Sequence, residues 1–257
     1  MHERSLKNFC FATLALREPY RRAATNLAND LAVYAPGKRL IVLTDDPRSF
    51  QNQSNVVARF HRQQGLFSCW NDKRFAVYAA FQFGDPIIFY DADTRISQPL
   101  PDKVEMVAPL STDWTPSLEE QTARYQNERE RSIISKACES FGIDLKRSVY
   151  IDDNFYVIRQ DQGREITFLQ IWGKVAEEFD LLGIRSNDGT CMGIAAAVIG
   201  WNASQGDAGI GAFNTARTHL CDGGKRAEKN PHWKKRFERI VKGLALLQRR
   251  VTFAFRR

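Results

Sequence analysis

Pro86-Ile87-Ile88-Phe89-Tyr90-Asp91-Ala92-Asp93-Thr94-Arg95-Ile96 is an apolar run that leads into two aspartates separated by one residue. Such a run, beginning after Gly84-Asp85, predicts a buried strand of a parallel sheet. Side chains two residues apart in a strand share a face, so we expect Asp91 and Asp93 to project together from the strand's carboxyl end. Ligands of open α/β sheets bind at that end, and paired carboxylates suit Mg²⁺ or Mn²⁺ ions that carry substrate phosphates. The pattern indicates a metal–diphosphate site, and the alternative is a pair of turn residues that end the strand.

The surrounding chain alternates predicted strands and helices. This alternation predicts an α/β fold, a single Rossmann-like domain with a mostly parallel central sheet. We expect residues 111–148 to form a polar, helical segment over the edge of the sheet, and residues 206–214 to form a glycine-rich loop. The other predicted strands cover 8–16, 39–46, 56–60 and 149–159, and the predicted helices cover 20–34, 71–83, 165–179 and 190–200.

Composition is ordinary for a globular protein, but the charge is uneven. The chain has 257 residues, 43% of them apolar, and a net charge of +7, and residues 217–257 alone carry 13 Lys/Arg against 3 Asp/Glu. The five scattered cysteines argue against a disulfide framework or a zinc site and fit a reducing compartment. The chain lacks both a span of about 20 apolar residues and the apolar segment of a signal peptide, so we expect a cytoplasmic protein.

Several local motifs resemble the GT-A-fold glycosyltransferases, above all family eight, the glycogenin and lipopolysaccharide-galactosyltransferase group. The resemblance covers most of residues 8–233. Ala15 and Tyr20 stand where that group places an alanine and a tyrosine against the nucleotide base. Arg74 lies 17 residues before Asp91, like the group's donor-contacting arginine, and Asn154 stands where the group has a donor-sugar asparagine. Phe89 to Asp93 is similar to the group's metal-binding strand.

The later part of the chain carries two further matches. Asp188 matches the aspartate of the group's Asp-Gln motif, although Gly189 replaces the glutamine. His219, with the glycines and lysine that follow it, resembles the group's His-x-x-Gly-x-x-Lys motif. The resemblance implies that His219, rather than His232, is the third metal ligand.

The resemblance implies an enzyme that transfers a sugar from a nucleotide-sugar donor to an acceptor hydroxyl on a glycan or a lipid-linked saccharide. The divalent ion, Mn²⁺ or Mg²⁺, would stabilise the charge of the leaving diphosphate. Asp153 and Asp188 would act near the sugar, one orienting hydroxyls and one assisting the acceptor's proton loss. The implied metal ligands are Asp91, Asp93 and His219, the catalytic residues are Asp188, Asp153 and Asn154, and the donor contacts are Ala15, Tyr20, Arg74, Asp91, Ala92, Gly223, Gly224 and Lys225.

Three other functions remain open from the sequence. A nucleotidyltransferase would need a glycine-rich phosphate loop after the first strand, and residues 14–20 contain no glycine. A nucleic-acid binder would suit the positive charge, but that charge sits in one tail without a recognition motif, so no nucleic acid is expected. A metal-free GT-A module could serve as a scaffold.

The basic tail over residues 234–257 is predicted to be separate from the domain over 1–233. Residues 234–248 form an amphipathic helical pattern in which Phe237, Ile240 and Leu244 share one face. Such a helix docks on its own domain or lies in an anionic membrane interface. The second outcome would place the enzyme peripherally at the inner membrane face.

Overall fold

The computed structural model describes residues 9–66, 68–183, 188–206 and 208–220. Their nine strands are β1 (Cys10–Ala15), β2 (Leu40–Thr44), β3 (Val56–Phe60), β4 (Ile87–Tyr90), β5 (Thr94–Ile96), β6 (Leu110–Thr112), β7 (Phe155–Ile158), β8 (Ser204–Gln205) and β9 (Arg217–His219). Their seven α-helices are α1 (Glu18–Tyr34), α2 (Lys73–Ala80), α3 (Leu118–Tyr125), α4 (Glu128–Ser140), α5 (Arg164–Leu181), α6 (Asp188–Val198) and α7 (Ala208–Thr215).

Seven of these strands form one sheet in the order β3-β2-β1-β4-β7-β6-β8. Strand β7 runs antiparallel to both of its neighbours, and the remaining pairs are parallel. The predicted α/β class and mostly parallel sheet are therefore confirmed. The central strands β1, β2, β4 and β7 are buried throughout, as expected for strands covered on both faces.

Helices cover both faces of the sheet. One face packs against apolar side chains of α1 and α7, including Leu27, Leu31 and Phe213. The other packs against α2, α4, α5 and α6, with Trp172 and Phe168 among its largest buried side chains. This three-layer arrangement holds the strands rigidly, so the loops at their ends can carry precisely placed polar groups.

Most of these loops meet at one end of the sheet. The carboxyl ends of β1 to β4 lie there because these strands are parallel. Two successive antiparallel pairings, β4 with β7 and β7 with β6, bring the carboxyl end of β6 and the amino end of β7 to the same place. We call this region the carboxyl end of the sheet, and it is where ligands of open α/β sheets bind.

A second, two-stranded sheet stands beside this end. Strands β5 and β9 pair antiparallel, with Thr94 opposite His219. The small sheet is fastened to α1, because the buried carboxylate of Asp30 accepts hydrogen bonds from Arg95 Nε at 2.6 Å and Arg95 Nη2 at 2.9 Å. The Ile96 amide also donates to Asp30 at 3.0 Å. This anchoring fixes the turn that joins β4 to β5.

The structure corrects several predicted elements. The expected loop over 206–214 is wrong, because residues 208–215 form helix α7. Gly209 has a packing reason to be glycine, because a Cβ there would collide with the carbonyl of Glu105, while Ile210 and Phe213 are buried against the sheet. The predicted strand over 149–159 is regular only in β7, and the helix predicted over 71–83 is shorter, since residues 70–72 form a 3₁₀ turn before α2.

Strands β6, β8 and β9 were not predicted. Each has at most three residues, too few to show an apolar period. Among the described helices, none is both long enough and apolar enough to cross a bilayer. Residues 221–257 lie outside the described part of the chain, so the structure does not address the predicted tail helix or Gly223, Gly224, Lys225 and His232.

Candidate metal and nucleotide-sugar site

Asp91 and Asp93 lie in the turn between β4 and β5. Strand β4 ends at Tyr90, and the amide of Thr94 donates to the Asp91 carbonyl at 3.0 Å. The expectation that strand alternation would bring the two aspartates together is therefore wrong. They lie close together because the chain turns between β4 and β5. The Asp91 amide donates to the Asn154 carbonyl at 3.1 Å, which ties this turn to the residues that precede β7.

The pairing of β9 with β5 brings His219 against both aspartates. His219 Nε2 lies 3.0 Å from Asp93 Oδ1 and 3.8 Å from Asp91 Oδ2. One potential ligand atom from each of these three residues lies within 4.8 Å of the other two. We call Asp91, Asp93 and His219 the Asp–Asp–His triad. Two hard carboxylates and an imidazole, all partly accessible, form a donor set that fits Mn²⁺ or Mg²⁺.

The pKa values of His219 and Asp91 are both raised in the triad. The hydrogen bond with Asp93 raises the pKa of His219 above its ordinary value, against the opposing effect of burial. Burial also raises the pKa of Asp91, although the Lys73 ammonium partly offsets this. A divalent cation would reverse both tendencies, because it favours the carboxylate and the neutral imidazole.

Lys73, at the start of α2, contacts Asp91 of the triad. It was not predicted as a site residue. Its Nζ lies 2.7 Å from Asp91 Oδ1, 2.8 Å from Asp188 Oδ2 and 3.4 Å from Asp153 Oδ2, and donates to the Asp153 carbonyl at 2.9 Å. Burial would lower the pKa of Lys73, but the three carboxylates raise it well above its ordinary value. We call Lys73, Asp91, Asp153 and Asp188 the lysine cluster.

The pKa values of Asp153 and Asp188 are shifted in opposite directions. Burial and the nearby Asp153 carboxylate raise the pKa of Asp188 well above its ordinary value. Burial alone would raise the pKa of Asp153, but Lys73 and hydrogen bonds from Asp188 and Tyr150 hold it below its ordinary value. The Tyr150 hydroxyl donates to Asp153 Oδ1 at 2.7 Å. The cluster thus contains an ionised Asp153 beside an Asp188 that retains its proton at higher pH than usual.

The triad and the lysine cluster line one cavity of about 370 Å³ at the carboxyl end of the sheet. This volume is within the range of small-molecule sites. Its apolar lining includes Leu14 at the end of β1, Leu16 just after it, and Tyr20 of α1. The full lining is Leu14, Leu16, Tyr20, Cys69, Trp70, Lys73, Asp91, Ala92, Asp93, Tyr150, Asp153, Asn154, Asp188 and His219.

Two residues expected at the site are placed elsewhere. Ala15 is fully buried on the other face of β1, in the core that contains α1. Arg74 lines a separate cavity with Gly173 and Asp180, where its Nη1 donates to the Asn71 carbonyl at 2.6 Å. Among the described residues, it is Lys73, one residue earlier, that contacts Asp91, Asp153 and Asp188.

Gly189 has a packing reason to be glycine. A Cβ at this position would collide with the carbonyl of Ile151 and with the ring of Tyr150. A glutamine therefore cannot occupy the position without displacing the residues around Asp188. The departure from the Asp-Gln motif is thus matched by a closely packed Tyr150 that hydrogen bonds to Asp153.

Asp152 and Arg217 form polar contacts around Asn154. Asp152 Oδ1 accepts hydrogen bonds from the backbone and side-chain nitrogens of Asn154 at 3.0 and 3.1 Å. Arg217, two residues before His219 on β9, donates to the other oxygen of Asp152 at 3.4 Å and lies over the Phe155 ring. These contacts connect the residues just before β7 to the strand that carries His219.

Comparisons with known proteins give a fold-level result. No protein-family profile and no curated protein matches the chain. Among solved structures, the chain is similar to WbbM, a bifunctional glycosyltransferase in its apo form, with 13% sequence identity and a TM-score of 0.49. The similarity covers 77% of this chain and 38% of that one, so the chain spans well under half of its length. The sheet itself is consistent with a GT-A, Rossmann-like fold, and the chemistry must be inferred from the chain's own residues.

Proposed function

We propose that this chain is a metal-dependent glycosyltransferase related to family eight, which transfers a sugar from a nucleoside diphosphate to an acceptor hydroxyl. The observation that carries the proposal is the Asp–Asp–His triad, whose ligand atoms lie within 4.8 Å of one another beside a cavity of about 370 Å³. Its position at the carboxyl end of the sheet is where α/β folds bind nucleotides.

The proposed donor spans the cavity from β1 to the lysine cluster. Leu14, Leu16 and Tyr20 offer an apolar and aromatic wall for the nucleotide base. The triad would hold the divalent cation, which supplies Lewis-acid stabilisation to the leaving diphosphate. The sugar then lies toward Asn154 and Asp153, which line the same cavity.

In the proposed reaction, the anomeric carbon exchanges its bond to the diphosphate oxygen for a bond to the acceptor oxygen. The nucleoside diphosphate leaves with the bonding electron pair, and the transition state has oxocarbenium character. The acceptor hydroxyl loses its proton, which the Asp153 carboxylate at the cavity wall would accept. Lys73 acts as a positioning residue, because its contacts hold Asp91, Asp153 and Asp188 in fixed relation.

Hydrolysis of sugar nucleotides tests this proposal without knowledge of the acceptor. Wild-type protein is incubated with a panel of UDP-, GDP- and TDP-sugars, with Mn²⁺ or with EDTA, and release of the nucleoside diphosphate is measured. We expect Mn²⁺-dependent release that Asp91→Asn and Asp93→Asn each reduce by about 100-fold or more, as for loss of one strong electrostatic contact to a leaving group. The matched control is Asp102→Asn, because the Asp102 side chain is exposed and its backbone carbonyl accepts a hydrogen bond from Lys38. Release that is unaffected by EDTA and by both variants would remove the metal-dependent assignment.

We also propose that the basic tail brings the enzyme to an anionic membrane surface, which suits a lipid-linked acceptor and a cytoplasmic enzyme at the inner membrane face. Residues 234–257 carry 9 Lys/Arg, and each basic residue near an anionic bilayer contributes about 1 kcal/mol. Co-sedimentation with phosphatidylglycerol vesicles should exceed that with phosphatidylcholine vesicles and fall when Lys234, Lys235 and Arg236 are changed to glutamine. Equal binding to the two vesicle types would exclude this role for the tail.

A further inference from the structure

The Asp153 carboxylate is held at both of its oxygens by donors from different parts of the chain. The Tyr150 hydroxyl donates to Asp153 Oδ1 at 2.7 Å, and Lys73 Nζ lies 3.4 Å from Asp153 Oδ2. Because each oxygen has its own donor, the carboxylate is restrained against rotation. The Asp153 side chain is 20% exposed, whereas that of Asp188 is fully buried. Asp153 is thus the more accessible carboxylate of this pair in the cavity.

The Tyr150 ring is itself closely packed against two other segments. Gly189, at the start of α6, lies so close that a Cβ there would collide with the ring. The indole of Trp114 contacts the ring edge to face, with 5.5 Å between centroids, and the Tyr150 amide donates to the Pro116 carbonyl at 2.8 Å. The Tyr150 hydroxyl therefore has little freedom to follow Asp153 if that carboxylate rotates.

Tyr150 remains protonated while it holds Asp153. Burial, together with the Asp153 and Asp188 carboxylates, raises the pKa of Tyr150 well above its ordinary value. A phenol that keeps its proton is a permanent donor, so Tyr150 orients the carboxylate and does not act as the base. The titratable groups that surround Asp153 are Lys73, Asp91, Tyr150, Asp152, Tyr156 and Asp188.

We propose that Tyr150 is a positioning residue that holds the Asp153 carboxylate in the orientation in which it accepts the proton of the acceptor hydroxyl. This inference rests on the proposed glycosyl transfer and adds a residue that acts only through Asp153. The orientation exists before substrate binds, so it does not have to be gained in the transition state. In Tyr150→Phe the ring remains, but Asp153 Oδ1 loses its donor.

Hydrolysis of the active sugar nucleotide with Mn²⁺ measures this role, because water is then the acceptor that loses a proton. The variant is Tyr150→Phe, and the matched control is Tyr156→Phe on β7. Both changes delete one hydroxyl from a buried tyrosine close to the same carboxylates. Among the residues that the structure describes, the Tyr156 hydroxyl has no hydrogen-bond partner, so its loss should leave Asp153 in place.

We expect Tyr150→Phe to lower kcat by about tenfold or more while the donor KM stays within about twofold, since the triad is undisturbed. Burial raises the pKa of Asp153 and Lys73 lowers it, and the Tyr150 hydrogen bond lowers it further. Loss of that bond should therefore move the acidic limb of the kcat profile to higher pH. Tyr156→Phe should keep kcat, KM and the pH profile of wild type.

A second measurement requires no activity. The Tm values of wild type, Tyr150→Phe, Asp153→Ala and the double variant are compared in the presence of EDTA. We expect Tyr150→Phe to lower Tm by about 3–12 °C in the wild-type background, as for loss of one hydrogen bond to a charged group. In the Asp153→Ala background the same change should lower Tm by less than about half as much, because the two side chains interact.

The two measurements separate the positioning role from the proposed function. If the Tm changes are additive, or if Tyr150→Phe keeps the kcat and pH profile of wild type, the positioning role is wrong. If the Tm changes are coupled but wild type releases no nucleoside diphosphate from any donor, the restraint on Asp153 is supported and the proposed glycosyl transfer is contradicted.

Discussion

Replacing Lys73 with methionine should destabilise the protein strongly, because it removes the cation of the lysine cluster while keeping the aliphatic stem. The Lys73 side chain is only 6% exposed, and its Nζ lies within 3.4 Å of three carboxylates. Removing one partner of a buried ion pair costs about 3–5 kcal/mol, because the other charges stay buried without compensation. For a chain of this size that loss lowers Tm by roughly 6–20 °C.

The same variant should show a characteristic pH dependence. Lys73 helps to hold the pKa of Asp153 below its ordinary value, so Asp153 contributes stability above an unfolded pKa of about 3.9 that is lost as the pH falls below it. Without Lys73 that contribution is smaller, because only the hydrogen bonds to Asp153 still favour its ionised form. The difference in unfolding free energy between wild type and Lys73→Met should therefore be greatest near neutral pH and decrease below about pH 4.

Urea unfolding, followed by circular dichroism in the presence of EDTA, measures these free energies. A second variant, Lys73→Met combined with Asp188→Asn, removes one of the uncompensated carboxylates and should recover about 1–3 kcal/mol. If Lys73→Met costs less than about 1 kcal/mol, or if the double variant is no more stable than the single one, the lysine cluster does not have the energetic role assigned to it.

Three further predictions concern the surroundings of the site. Gly189→Ala should lower the unfolding free energy by about 1–3 kcal/mol, because the new methyl group collides with the Ile151 carbonyl and the Tyr150 ring, and an unchanged Tm would contradict this packing. Arg74→Met should cost about 1–3 kcal/mol by removing the bond to a backbone carbonyl, yet leave the donor KM unchanged, whereas a tenfold rise in KM would restore Arg74 to the donor site. Tyr20→Ala should raise the donor KM about tenfold with little change in Tm, and unchanged KM would remove Tyr20 from the base wall.

The sequence predicts the parallel part of the sheet well for a physical reason. Strands β1, β2 and β4 are buried on both faces, so each appears as an unbroken apolar run between polar turns. Strands β6, β8 and β9 are stabilised by pairing with distant residues, such as Ser111 with Ser204 and Thr94 with His219. Pairing of this kind leaves no local pattern in two or three residues.

Lys73 shows why part of the site was missed. In α2 the buried residues are Lys73, Ala76, Val77 and Ala80, which lie three and four residues apart. This helical spacing places Lys73 on the buried face, whereas spacing from Asp91 alone pointed to Arg74. Residues 75–81 are all apolar, so the sequence alone does not show which face of α2 is buried, and a buried lysine is rare.

The neighbourhood of His219 was indicated only by its resemblance to a motif. His219 lies 126 residues from Asp93 in sequence, and the pairing of β9 with β5 determines their 3.0 Å separation. No periodicity near either residue contains that information. The grouping of these three residues therefore comes from the fold as a whole.

Binding of Mn²⁺ to the full chain, followed by electron paramagnetic resonance, tests the central claim most directly. Free Mn²⁺ gives a sharp signal that decreases on binding, so titration gives stoichiometry and affinity without any substrate. We expect one specific Mn²⁺ per chain in wild type, lost when Asp91 and Asp93 are changed to asparagine and His219 to alanine, and retained in Asp102→Asn. Equal Mn²⁺ binding by wild type and the triple variant would contradict the assignment of the Asp–Asp–His triad as the metal centre.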